Sequence, residues 1–138
     1  MLNGNFNSIV LIDSPNQRVF KLTPPEPKRW AEENGVRVLQ LEKITPDVIE
    51  TLREEHWDLF VVVAYGAILP EALITLPRYG TINIHYSLLP KYRGATPVES
   101  AILNGDATTG ICIQQMRYAL DSGPILAQKE IAILPNDT

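Results

Sequence analysis

Cysteine is nearly absent. The 138 residues carry one, Cys112, so no internal disulfide framework is available. Histidine is scarce too: His56 and His85 are the only two, which argues against a zinc site built from this chain, and no metal is expected. No apolar run approaches the roughly 18 residues of a transmembrane helix, so no membrane association is expected. Met1 to Asn7 lacks the basic flank and apolar stretch of a signal peptide. An excess of positive charge is also missing. Lys plus Arg is 12 and Asp plus Glu is 16, a formal net of −4, which speaks against a broad nucleic-acid-binding face on this chain alone.

What is present is ordinary globular material. Apolar residues make up 45% and charged residues 20%, which excludes a disordered chain. One compact, soluble, cytoplasmic domain is the expectation. Short apolar runs alternate with helix-like segments, which predicts an α/β domain with a mostly parallel sheet. Residues 8–12 read as a first buried strand and residues 36–39 as a second. The stretch from Asn16 to Lys21 has no period and reads as a loop. Residues 23–27 are a proline-rich start for a helix through Trp30 and Ala31, stopping at Asn34-Gly35. Thr45 and Pro46 start a second helix. Residues 58–64, apolar on both faces, read as a central parallel strand. A short helix over 70–76 and a strand over 80–85 follow. Thr96-Pro97-Val98-Glu99 reads as a capping box, and its helix stops at Asn104-Gly105. The final strands, residues 110–116 and 125–133, have no helix between them and should pair as a hairpin.

Two strand ends carry candidate chemistry, since ligands of open parallel sheets bind beyond the carboxyl ends of strands. One end is Ala64-Tyr65-Gly66. The other is Asn83-Ile84-His85. Asn83 and His85 are two apart on an extended segment and so share a face. An Asn amide can donate to a developing oxyanion, and a neighbouring His can act as acid or electrostatic stabiliser. By spacing alone, Asn-x-His is more often a polar strand end. The lone residues read blandly: His56 at a helix end, Cys112 as a small buried hydrophobe, Trp30 and Trp57 as packing anchors.

Three blocks give the spacing context. They are residues 62–70 (Val-Val-Ala-Tyr-Gly-Ala-Ile-Leu-Pro), residues 82–95 with Asn83, His85, Ser87-Leu88-Leu89-Pro90 and Tyr92-Arg93-Gly94-Ala95, and Thr109-Gly110 with Leu120-Asp121-Ser122-Gly123. In order and spacing they resemble the formyltransferase family that uses 10-formyltetrahydrofolate. Within it, Leu22-Thr23-Pro24 and Arg93-Gly94-Ala95-Thr96-Pro97 resemble the methionyl-tRNA branch. The resemblance implies a three-layer, Rossmann-like fold with the donor folate as co-substrate. It also implies a catalytic trio. Asn83 would polarise the formyl carbonyl, His85 would stabilise the oxyanion, and Asp121 would hold His85 or a water and help remove the amine proton. Ser87, Leu88, Leu89 and Pro90 would form part of the folate site, and Ala64, Tyr65 and Gly66 would meet the pterin. Taken without the resemblance, Asp121 could equally be a turn aspartate before Gly123.

The implied reaction is formyl transfer to a primary amine, that of methionyl initiator tRNA. The alternatives are another amine, such as a sugar nucleotide or glycinamide ribonucleotide, or a non-catalytic fragment or paralogue that binds folate or a partner. Against the family pattern, residues 1–138 are expected to be a partial catalytic domain. The usual first strand–helix unit and a C-terminal β-barrel domain have no counterpart in the sequence. A homodimer through the sheet edge so left uncovered is a further expectation. Locally, Arg117 and Ala119 stand where the family commonly has Asp and Gly, and Tyr86 where a small residue or proline is usual.

Overall fold

The computed structural model describes residues 9–12, 17–19, 21–23, 25–41 and 43–138. Its elements alternate as the apolar runs predict. β1 (Ile9–Ile12) pairs in parallel with β4 (Arg37–Gln40). Between them lie β2 (Gln17–Val19), β3 (Lys21–Thr23) and α1 (Glu26–Glu33). β2 and β3 form a small antiparallel ladder where a loop was expected. Three-residue strands are too short to show a hydrophobic period, so their pairing was not legible. The break expected at residues 13–16 lies outside the described residues.

α1 starts within the proline-rich entry, with Pro25 at the N-cap and Pro27 in its first turn, and ends at Asn34 as its sequence predicts. It buries only Ala31, and Trp30 projects outward with 58% of its surface exposed. Trp30 is therefore no packing anchor. Trp57 is one: it meets Phe60 at a ring distance of 5.6 Å and donates its indole N–H to the Leu52 carbonyl at 2.7 Å.

α2 (Pro46–Arg53) and α3 (Glu71–Ile74) flank β5 (Phe60–Val63). Ile49 and Leu52 from α2, Leu73 and Ile74 from α3, and Leu69 before it make the main buried cluster. Phe60 and Val62 pack on that cluster from β5. Val61 and Val63 point the other way and are exposed. Among the described residues β5 is thus an outer strand of its sheet, covered on one face, not a central strand buried on both. α2 and α3 cover the face that Phe60 and Val62 present.

The four-stranded sheet runs β5-β6-β7-β8, with β6 Thr81–His85, β7 Thr108–Gln115 and β8 Ile125–Ala132. β5 and β6 are parallel, whereas β6–β7 and β7–β8 are antiparallel. The β7–β8 hairpin is the one expected. The α/β Rossmann-like class holds, but the described ladders are more antiparallel than the alternation predicts. The reversal enters at β7, after α4 (Pro97–Leu103). Thr96 sits at the α4 N-cap, yet its side chain makes no cap hydrogen bond, so the expected capping box with Glu99 does not close. Ser100 instead donates to the Thr96 carbonyl at 2.7 Å.

Candidate active site

β6 ends with its polar residues on the face that the sequence assigns them. Asn83 opposes Gln114 of β7, and His85 opposes Cys112. Directly opposed residues in an antiparallel pair project to the same side. Asn83, His85, Cys112 and Gln114 therefore share one sheet face. Asp121 reaches that face from the loop between β7 and β8. Its Oδ1 accepts from Gln114 Nε2 at 2.7 Å, and its Oδ2 accepts the Gly94 backbone N–H at 2.8 Å. His85 Nδ1 lies 3.8 Å from Asp121 Oδ1, beyond a direct hydrogen bond. His85 Nε2 is 2.8 Å from the Tyr92 carbonyl, which can only accept, so Nε2 carries the proton.

This geometry gives His85 an acceptor on each side, the Tyr92 carbonyl and the Asp121 carboxylate. An imidazolium would donate to the Tyr92 carbonyl and face the Asp121 carboxylate across the 3.8 Å gap. The His85 and Asp121 side chains are both almost fully enclosed. In such surroundings the charge of Asp121 acts on His85 with little solvent screening.

The chain is bent hard to make this site. Ala64, Tyr92 and Asp121 are the three non-glycine residues with positive φ among the described residues, at 47°, 53° and 45°. Each such residue costs about 1–2 kcal/mol, and such strain concentrates at functional sites. Ala64 turns the chain off β5, Tyr92 presents its carbonyl to His85, and Asp121 turns its carboxylate toward Gln114 and Gly94. Gly123 explains the small residue two positions on. A Cβ there would fall on the Gln115 carbonyl oxygen, so only glycine lets the loop close against β7.

Ser87, Leu88, Leu89 and Pro90 lie directly after β6 and are tied to β7. Ser87 is fully buried and donates to the Lys91 carbonyl at 2.6 Å. The Leu89 N–H reaches Cys112 Sγ at 3.3 Å. Leu88 lies where a Cβ on Gly110 would be. Ala64, Tyr65 and Gly66 sit at the end of the neighbouring strand β5. Arg117 and Ala119, which depart from the family pattern, are exposed and leave Asp121 next to His85.

The chain matches the formyl transferase family over residues 8–138. It belongs to that family. A methionyl-tRNA formyltransferase of Geobacter metallireducens is 48% identical over 91% of this chain and 40% of that protein. The solved structure of phosphoribosylglycinamide formyltransferase from Bacillus halodurans superposes with a TM-score of 0.76 at 27% identity, covering 95% of this chain and 68% of that one. A formyltetrahydrofolate deformylase from Pseudomonas syringae superposes at 0.69 with 26% identity, over 80% and 40% of the two chains. The chain thus spans about two fifths of the curated relative's length.

Within this formyl transferase domain, three site features were not read from the sequence. They are Gln114, the Tyr92 carbonyl and the Gly94 N–H. Gln114 had one available signal: it is a polar residue in the inward register of Gly110 and Cys112 on β7. The other two are backbone groups, and side-chain identity does not announce them.

Beyond Tyr92, a cavity of about 280 Å³ is lined by Leu88, Lys91, Tyr92, Asp106, Thr108 and Thr109, without a trio residue. Asp106 accepts from the Tyr92 hydroxyl at 2.8 Å and from Lys91 at 3.1 Å. Those hydrogen bonds hold its carboxyl below the ordinary carboxylate value and push Tyr92 and Lys91 above theirs. The network braces the loop whose Tyr92 carbonyl receives His85. Among the described residues no helix is long and apolar enough to cross a membrane.

Proposed function

We propose that this domain transfers a formyl group from 10-formyltetrahydrofolate to a primary amine, that of methionyl initiator tRNA. The observation that carries this is the gathering of Asn83, His85 and Asp121 on one face within a formyl transferase domain. The amine nitrogen attacks the formyl carbon, and the carbonyl electrons move to oxygen. Asn83 donates to that oxygen, and His85 as imidazolium stabilises its charge. Asp121, whose carboxylate faces His85 at 3.8 Å, takes the proton that the attacking amine loses, directly or through a water. Collapse of the oxyanion breaks the bond to the folate nitrogen, which leaves with the proton that Asp121 took from the amine and now returns. Residues 87–90 and 64–66 border the donor side. No step calls for a metal.

The similarity to a methionyl-tRNA formyltransferase supports the choice of acceptor, and the name of the deformylase neighbour supports the choice of donor. We place the protein in the cytoplasm. The test follows a labelled formyl group from 10-formyltetrahydrofolate into methionyl-tRNA, a sugar nucleotide amine and glycinamide ribonucleotide. Asn83→Ala should lower kcat about 10²–10³-fold, as loss of one oxyanion donor does elsewhere. Formylation of a sugar nucleotide but not of methionyl-tRNA would overturn the acceptor. Folate binding without turnover would favour a non-catalytic fragment. A chain that neither binds folate in calorimetry nor responds to Asn83→Ala would sink the reading.

A further inference from the structure

Gln114 is a buried polar residue that the trio leaves unexplained. It is 2% exposed, on the central strand β7, directly opposite Asn83. Its Nε2 donates to Asp121 Oδ1 at 2.7 Å. That orientation is forced, because a carboxylate can only accept. The consequence is that Oε1 points away from Asp121, and it is buried without a hydrogen-bond partner. A sealed, unpaired acceptor is unfavourable and calls for an explanation.

Asn83 supplies one. Its Cβ lies about 4.5–5.5 Å from that of its cross-strand neighbour by the geometry of such pairs, within reach of a side-chain amide. Asn83 has two N–H donors, and a formyl oxygen needs only one. We propose that Gln114 is a positioning residue for formyl transfer, tying Asn83 to Asp121. Its Nε2–H holds the carboxylate, and its Oε1, unpaired in the structure, receives one N–H of Asn83 once the formyl donor is bound, while the other N–H faces the formyl oxygen. The oxyanion donor and the proton-accepting carboxylate are then fixed in one register by a single amide. Glutamine suits this position for a stated reason. Glutamate would set a second negative charge against Asp121, and methionine would neither donate to Asp121 nor accept strongly from Asn83.

This inference rests on the formyl-transfer reading, and two measurements separate the two. The first is a double-mutant cycle in the 138-residue chain, with 10-formyltetrahydrofolate and methionyl-tRNA. Gln114→Met should lower kcat about 10- to 100-fold and leave KM for the donor within about twofold. In an Asn83→Ala background the same change should matter by no more than about twofold, because the amide no longer has a donor to aim. Equal losses in both backgrounds mean that Gln114 only packs, and they overturn the proposal. The second measurement needs no turnover and no Gln114 variant. The ¹³C resonance of the Gln114 side-chain carbonyl is followed in the wild type and in Asn83→Ala, each with and without 10-formyltetrahydrofolate. A shift of that signal on removing Asn83 supports the tie, and an unmoved signal in both conditions overturns it. A wild-type chain without turnover defeats the formyl-transfer reading, while the carbonyl signal still decides the pairing.

Discussion

β7 and β8 have the same length, eight residues each, and are hydrogen-bonded to one another along most of it. Their fates differ. β7 alternates between buried and partly covered positions, whereas every residue of β8 is exposed. Pairing is therefore not what buries a strand. β7 has β6 on its other side and the loop after β6 folded onto it, with Leu88 against Gly110 and Leu89 on Cys112. β8 has β7 alone. The candidate chemistry follows the burial. Gln114 comes from β7 and Asn83 and His85 from its other neighbour, while β8 contributes none of them. A charge or amide moved out of water interacts far more strongly than one left in it, so a site is built where strands are covered.

The comparison breaks most sharply at Gly110. A Cβ there would land on the Lys129 carbonyl oxygen of β8 and on Leu88. Leu88 can turn, but a backbone carbonyl in a ladder cannot. Gly110→Ala should cost about 3 kcal/mol, the upper end of the range for overpacking, read as the shift of a urea midpoint at constant slope. Glu130, its β8 partner, is exposed, and Glu130→Ala should stay within about 0.5 kcal/mol. Equal costs for the two would show that the strands do not differ in cover.

A smaller effect is expected two pairs closer to the site. Cys112 is fully buried, and its sulfur receives the Leu89 N–H. The sequence reading of a small buried hydrophobe is right about place and silent about this bond. Cys112→Ala leaves that N–H unpaired and should cost about 1–2 kcal/mol. Cys112→Ser keeps an acceptor and should recover part of it. If serine is no better than alanine, the sulfur contact does not hold the loop.

These residues also show what could be read in advance. The ends of α1 and α4 at Asn34 and Asn104 were legible, because helix stops are written in local residue types. Asn83 and His85 were legible as a same-face pair because strand alternation is local. Asp121 was not: its spacing from His85 has no local meaning, and only the family resemblance singled it out. Gln114 needed the antiparallel register that sets it opposite Asn83, and that register arises from tertiary pairing. The short β2–β3 ladder and the one-sided burial of β5 were missed for the same reason. What covers a strand, and what it pairs with, is decided by distant parts of the chain.

The smallest effect belongs to Leu126. It is the extra residue at the irregularity in β8, since Ala127 pairs with Ile113 and Ile125 with Gln114. It is 59% exposed despite being leucine. On a strand open to water, Leu126→Ser should change stability by no more than about 0.5 kcal/mol. The same change on a covered strand would forfeit about 1.5–3 kcal/mol of side-chain burial. Urea titrations of the 138-residue chain at two concentrations separate the cases. A small, concentration-independent shift means that β8 faces solvent and that its difference from β7 is real. A large cost that grows with protein concentration means that a second copy covers β8. The contrast between β7 and β8 would then belong to the isolated chain and vanish in the assembled one.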